Sequence, residues 1–244
     1  MAERPIEAQK AVELIECGVQ CVSEARVVSS DTSALEWDRF MRLSRTAEAV
    51  RALKLSEGTI VLDVGGFDGA FALFVPDLRV WVVDPVTTGG SGLALPFLDG
   101  HFDVVVSIDA LEHVPRGQRE QLLHELVRVC RKNLFINFPE ARSMPAQKQV
   151  LSLVQNRFIQ EHVEYNLPRR EETIATLKGL CPKIKINAIG HTSIAVWVPW
   201  YVLFHTMKGR GLSVSAFLKI RENEVNSGPF LYDLLECDVR GDAR

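Results

Sequence analysis

No stretch of the chain approaches the roughly 20 consecutive apolar residues that a membrane-spanning helix needs. Basic blocks are missing too. The 28 Lys and Arg are outnumbered by 31 Asp and Glu, for a formal net charge of −3, and the two signs are mixed along the chain. Nucleic acid is therefore a poor fit as a partner. Cysteines are few and odd in number: Cys17, Cys21, Cys130, Cys181 and Cys237. Such scatter does not make a disulfide framework and points to a reducing, cytoplasmic setting. Cys17 and Cys21 have no second pair beside them, so they read as two small residues on a helix face and not as half of a zinc site. Met1 to Pro5 contain no apolar run of the signal-peptide kind. Repeats and low-complexity tracts are also lacking. The 244 residues fit one α/β domain with additions.

Against these absences stands one dense segment. Val61-Leu62-Asp63-Val64-Gly65-Gly66-Phe67-Asp68-Gly69 reads as a buried strand running into a glycine turn that opens a helix. Val82-Val83-Asp84 reads as a second strand ending in a carboxylate. This is how a doubly wound α/β sheet seats a nucleoside at the carboxyl ends of its strands. A dinucleotide fingerprint requires G-x-G-x-x-G, and Phe67 occupies the middle glycine position. A nicotinamide-dependent oxidoreductase is accordingly the weaker of the enzyme readings. Asp84 offers two oxygens to two adjacent ribose hydroxyls, or caps the turn before Pro85. Asp68 is placed to cap the helix after the first strand.

Asp63-x-Gly65-x-x-x-Gly69 at the end of a strand resembles motif I of the class I S-adenosylmethionine-dependent methyltransferases. The segment from Leu95-Pro96-Phe97 through Phe102-Asp103 to Leu111-Glu112-His113-Val114 is similar to the signature of their type-11 group. Glu125 to Arg128 resembles the helix that follows, and Asn133 to Pro139 resembles strand five. The resemblance covers about residues 58–140. It implies S-adenosylmethionine as cofactor, held by Asp63, Gly65, Gly66, Gly69, Asp84, the Leu95-Pro96-Phe97 turn and Asp109. In that family an acid often precedes the Leu-Pro-Phe turn to serve the adenine amine; Ser91 and Gly92 stand near that place here.

Asp109, Glu112 and His113 follow strand four, beside the expected methyl group. The segment Ser107 to His113 is similar to one in ubiquinone-type O-methyltransferases in which two acids and this histidine hold a divalent ion. The expected site uses no metal; Asp109, Glu112 and His113 around magnesium are the alternative. His113 is the first candidate for a general base, with substrate orientation and helix capping as its other roles. His162, in the pair Glu161-His162, is the second, on a segment expected to be a loop on the acceptor side. Phe158 to Pro168 resembles a stretch found in type-11 proteins associated with glycan or lipid-linked acceptors. The apolar segment from Ser193 to Met207, with Trp197, Trp200 and Tyr201, leaves three uses open: core cover, a homodimer surface, or peripheral membrane contact.

The predicted architecture is a mostly parallel, Rossmann-like sheet of the seven-strand type with an antiparallel last strand. Strands are expected near 59–64, 79–84, 103–108, 133–137, 183–189 and 230–239. Pro85 to Ala94 is too short for a helical crossover, so one sheet edge is expected to be abbreviated. Helical periodicity predicts a helix over 6–25 and another over 34–53, together an amino-terminal lid at 1–57. The methyltransferase domain then spans 58–244, with helices at 116–131, 147–160 and 170–180 and a helical insert at 191–227. The expected function is O-methylation of a small-molecule, sugar or lipid-linked acceptor. A catalytically silent donor-binding partner subunit is the alternative from another class.

Overall fold

The computed structural model describes residues 11–240. Its centre is one eight-stranded sheet in the order β1-β2-β4-β3-β5-β6-β8-β7. The strands are β1 (Val12–Glu16), β2 (Ser23–Val27), β3 (Ile60–Val64), β4 (Arg79–Val83), β5 (Phe102–Ile108), β6 (Cys130–Pro139), β7 (Lys185–Ser193) and β8 (Phe230–Asp238). The four central strands β4, β3, β5 and β6 run parallel, and β8 enters antiparallel between β6 and β7. Val61, Leu62, Val80, Val82, Val104, Val105 and Val106 are almost wholly buried. They form continuous apolar runs because parallel strands are covered on both faces.

Helix α1 (Trp37–Arg51) covers one face, packing Ala47 and Val50 over Val61, Val104 and Phe71. Helices α2 (Arg119–Val129) and α5 (Arg170–Leu180) cover the other, with Leu122, Leu126 and Leu177 over Leu62, Val105 and Leu134. Helices α3 (Met144–Leu153) and α4 (Arg157–Tyr165) follow β6. Helices α6 (Ile194–Thr206), α7 (Lys208–Ile220) and α8 (Glu222–Val225) lie between β7 and β8. Trp197, Trp200 and Tyr201 of α6 are buried in a third cluster with Trp37 and Met41 of α1 and Leu231 and Tyr232 of β8. They are core cover. Among the described residues, no helix is long and apolar enough to cross a membrane.

The structure departs from the expected layout at both sides of the glycine turn. The predicted first helix is a β-hairpin, β1 and β2, whose second strand pairs antiparallel with β4; residues 6–10 of that prediction lie outside the described residues. The short link after β4 leaves that strand with a parallel neighbour, β3, on one side only, and an unpaired outer edge of this kind needs covering. Ser23, Glu24 and Ala25 supply the cover against Val82, Trp81 and Val80. The edge is therefore completed from the amino terminus, which raises the count to eight strands. Cys17 and Cys21 are at the hairpin's turn instead of on a helix face, and the Cys21 carbonyl accepts a 2.9 Å bond from Thr88 Oγ1 in the link.

The second departure is the element after β3. The helix expected to open at the glycine turn is a five-residue 3-10 turn, Ala70–Phe74. The hairpin fills the space nearby: a Cβ at Gly69 would stand 2.7 Å from Ala25 Cβ and 3.0 Å from Leu14 Cδ2. The predicted helix at 147–160 is likewise two helices. They part at Asn156, whose side chain accepts from the Phe158 and Ile159 N–H groups and so starts α4.

Candidate active site

Where β3 ends, the chain turns through Gly65 with φ +83°. A side chain there would be strained by that backbone angle, and its Cβ would meet Ala110 Cβ at 2.5 Å. At Gly66 a Cβ would run into the Asp63 carboxylate. Asp63 is 1% exposed, and its Oδ1 has no hydrogen-bond partner. Burial pushes its carboxyl up to about 7; Arg39 pulls it down, and Asp84 and Asp68 add to the rise. A buried, unsatisfied carboxylate behind two side-chain-free residues is suited to a ligand cation.

Asp84 closes the end of β4. Its Oδ1 accepts from the N–H groups of Val86 at 2.9 Å and Thr87 at 3.1 Å, and its Oδ2 from Phe67 N–H at 3.3 Å. Thr87 Oγ1 then donates to the Phe67 carbonyl at 2.5 Å, so the two loops are tied together. Asp84 thus has the turn-capping bonds, and it also borders the glycine turn. Asp68 pairs with Arg39 of α1 and accepts from Ala70 N–H at 3.1 Å.

The Leu95-Pro96-Phe97 turn is held elsewhere. Leu95 N–H donates to Glu125 Oε2 at 2.8 Å, and the carbonyls of Leu95 and Phe97 accept from Arg128 at 3.1 and 2.7 Å. The Phe97 ring packs on Trp81, His101 and Phe102, toward the start of β5. From this segment it is Gly92 that reaches the end of β3, where a Cβ would stand 2.9 Å from Val64 Cγ1.

Beside Gly65, the residues after β5 enter a buried polar cluster. Asp109, with φ +59°, pairs with Arg42 of α1. Arg42 also lies 3.7 Å from Asp38, and Tyr232 donates its hydroxyl to Asp38 Oδ2 at 3.1 Å. Burial raises the Asp38 carboxyl. Glu112 is fully buried, neither carboxylate oxygen has a hydrogen-bond partner, and burial pushes its carboxyl up to about 8. His113 Nδ1 is 3.0 Å from Glu161 Oε2, and its Nε2 is 3.4 Å from His162 Nε2. His162 Nδ1 is 2.7 Å from Gln147 Oε1. Burial, reinforced by nearby His113, Arg42 and Arg119, holds the His162 imidazolium form down to about 2; burial also lowers His113, with Glu161 working against it.

Three elements bring this cluster together. Arg119 of α2 donates to the carbonyls of Leu111, Val114, Tyr165 and Asn166, fastening the segment after β5 to the end of α4. Asn137 of β6 bonds Thr46 of α1 and His191 of β7, which fixes α1 over the strand ends. His162 sits on α4 and is buried, not on the expected loop. The structure brings His113, Glu161 and His162 together and turns Asp109 away to Arg42. Sequence reasoning missed Asp38, Arg42, Gln147 and Tyr232. The signal for the first two was present: Asp38, Arg42 and Thr46 recur every four residues on the buried face of α1.

The parallel centre, the antiparallel β8 between β6 and β7, and the acid–glycine turn at β3 define a Rossmann-like fold of the class I methyltransferase type. Residues 62–136 match the type-11 methyltransferase domain family. That matched segment is less than a third of the 244 residues. It is 34% identical over 121 residues to an uncharacterised methyltransferase of Mycobacterium sp. strain JLS, a match spanning 43% of this chain and 44% of that protein. A Mycobacterium tuberculosis protein, also an uncharacterised methyltransferase, is 31% identical over 125 residues, again 43% of this chain and 45% of its own length. The matches thus span less than half the length of these relatives. The fold is similar to a crystal structure from Anabaena variabilis described as a methyltransferase of an antibiotic biosynthesis pathway, with TM-score 0.52 and 16% identity over 80% of this chain and 98% of that one. It is also similar to a Galdieria sulphuraria protein described as a sarcosine dimethylglycine methyltransferase, with TM-score 0.51 and 13% identity over 84% and 88%.

Proposed function

We propose that the protein is an S-adenosylmethionine-dependent O-methyltransferase acting on a hydroxyl of a small-molecule, sugar or lipid-linked acceptor. The observation that carries the reading is the orphaned, buried Asp63 carboxylate behind Gly65 and Gly66. These residues fit the donor: the carboxylate suits its ammonium group, and the missing side chains leave backbone for its methionine portion. Asp84 is the nearest acid for ribose and already holds three backbone N–H groups. It would receive the ribose on lone pairs left free by those bonds. Gly69 would act by letting the hairpin close against the turn. Leu95, Pro96 and Phe97 would act by fixing the link that carries Gly92.

When bound, the donor supplies a methyl group already activated on a sulfonium. The protein's task is then to orient the acceptor, exclude water and take a proton. Glu161 accepts from His113 Nδ1–H, so the neutral ring keeps its lone pair at Nε2. That nitrogen takes the proton of the acceptor hydroxyl, and Glu161 stabilises the imidazolium that results. His162, held neutral, lines the same place as an acceptor of hydrogen bonds.

Incubation with labelled donor and fractionated cell extract tests the reading. Label entering a hydroxyl-bearing metabolite, glycan or lipid supports it. Donor binding without transfer to any fraction favours a silent donor-binding subunit. Nicotinamide binding with no adenosylmethionine binding overturns the proposal. His113→Ala should spare donor affinity and slow transfer about 10²- to 10⁴-fold; a rate near wild type removes it as base.

A further inference from the structure

The facing imidazoles carry a consequence beyond methyl transfer. Glu161 Oε2 is an acceptor, so His113 Nδ1, 3.0 Å away, carries the hydrogen. Gln147 Nε2 donates to Ser143 Oγ at 3.2 Å, which turns its carbonyl oxygen to His162 Nδ1 at 2.7 Å. That nitrogen carries a hydrogen as well. Each neutral ring is left with its lone pair on Nε2, and these two nitrogens face each other at 3.4 Å. Two lone pairs form no hydrogen bond, so the pair requires something positive.

Glu112 supplies the matching charge once a bound cation displaces its proton. It is fully buried with both oxygens unpartnered, and one ligand atom from each of Glu112, His113 and His162 lies within 4.8 Å of the others. We infer that Glu112, His113 and His162 form a binding site for a divalent transition-metal ion of the zinc type, with both histidines ligating through Nε2. Tetrahedral zinc with bonds of about 2.05 Å places neighbouring ligand atoms about 3.3 Å apart, which is the spacing of the two nitrogens. Glu161 and Gln147 take the outer-shell places that orient metal-bound histidines. Two imidazoles with one carboxylate favour zinc over magnesium. Asp109 is not in the set, since it pairs with Arg42.

Among the described residues three cations stand near the cluster, and all are engaged; Arg157 Nε donates to Glu161 Oε1 at 3.0 Å. Arg42 is paired with Asp109 and Asp38, and Arg119 is held by four backbone carbonyls. Three protein ligands leave a tetrahedral ion one position, for water or an acceptor oxygen. With an ion bound, His113 would be a ligand and no longer a base; the ion would acidify an acceptor hydroxyl at the open position, whose proton would leave to solvent water.

The test is cobalt(II) titration of the full, tag-free chain after chelator treatment, read by visible absorption. One cobalt per chain with the intense bands of a tetrahedral site, displaced by zinc, is the expected result. Glu161→Gln, at a half-buried position that should leave the fold intact, weakens cobalt about 10- to 100-fold. His162→Gln and Glu112→Gln weaken it at least as much. No tetrahedral bands, or bands and affinity unchanged in all three variants, overturns the site. A proton found on His113 Nε2 by nitrogen NMR in the presence of excess zinc does so too, because it assigns the short contact to a shared hydrogen. None of these readouts depends on methyl transfer, so failure here and failure of the proposed activity are separable.

Discussion

Under the proposed function, the Asp63 carboxyl makes donor binding depend on pH in a direction that can be worked out. Burial lifts its pKa to about 7 in the folded protein, from an ordinary value of 3.8. A donor ammonium pairs with the ionised form only. The apparent dissociation constant then scales as one plus the ratio of protonated to ionised Asp63, about 11 at pH 6 and about 1.3 at pH 7.5. Affinity should fall about sixfold from pH 7.5 to pH 6, once the donor's own amino group, about two-thirds charged at pH 7.5, is counted. Asp63→Asn should flatten the profile. At pH 7.5 it should also weaken binding by about 1.5–3 kcal/mol, the scale of a hydrogen bond to a charged group. The same shift has a stability sign. A carboxyl whose folded pKa lies above its unfolded value binds a proton on folding between about pH 4 and 7, so its contribution becomes more unfavourable as pH rises through that window. The unliganded variant should therefore lose less melting temperature than wild type from pH 5 to 7.5. Calorimetric titrations at several pH values and thermal melts measure both effects. A flat wild-type binding profile from pH 6 to 7.5 would refute Asp63 as the ammonium's partner.

Other substitutions probe the scaffold around the site. Trp200 is 3% exposed, meets Trp37 edge-on at 5.4 Å and donates to Ser215 Oγ at 2.9 Å; Trp200→Ala should cost about 3–5 kcal/mol in denaturant unfolding, and a loss below 1 kcal/mol would place that ring outside the core. Asp233, fully buried, accepts from Arg142 and Arg170. Asp233→Asn leaves two guanidiniums underpaired and should cost about 3–5 kcal/mol, read the same way. A chain beginning at residue 29 removes the hairpin and bares the β4 edge. It should self-associate by light scattering at concentrations where the full chain does not; an equally monodisperse truncation would show that the edge needs no cover.

The parts of this fold legible in sequence are those whose cause is local. Buried parallel strands must be apolar on both faces, so Val61-Leu62, Val82-Val83 and Val104 to Val106 announce themselves as uninterrupted runs. The glycine turn was legible for the same reason: Gly65 and Gly66 answer to neighbours within a few residues or directly across the strand ends. The hairpin is different. Val12, Leu14 and Ile15 fit a helical spacing as well as a strand, and what decides between them is an unpaired β4 edge more than fifty residues away. Tertiary demand overrides a periodicity that is ambiguous over so short a span. The buried polar cluster after β5 was half legible. His113 and His162 stood out as acid-flanked histidines, but their meeting depends on Asn156 starting a second helix where one long helix was expected. Arg42 was hidden because a cation on a helix reads as solvent-facing until the sheet is placed beneath it. Once it is placed, Arg42 needs a carboxylate on the inner side, and Asp109 meets that need. The pairing takes Asp109 out of the acid–acid–histidine trio expected from sequence and leaves Glu112 and His113 to find His162. A polar cluster assembled from three distant segments is thus set by a balance of buried charges, which only the folded arrangement reveals.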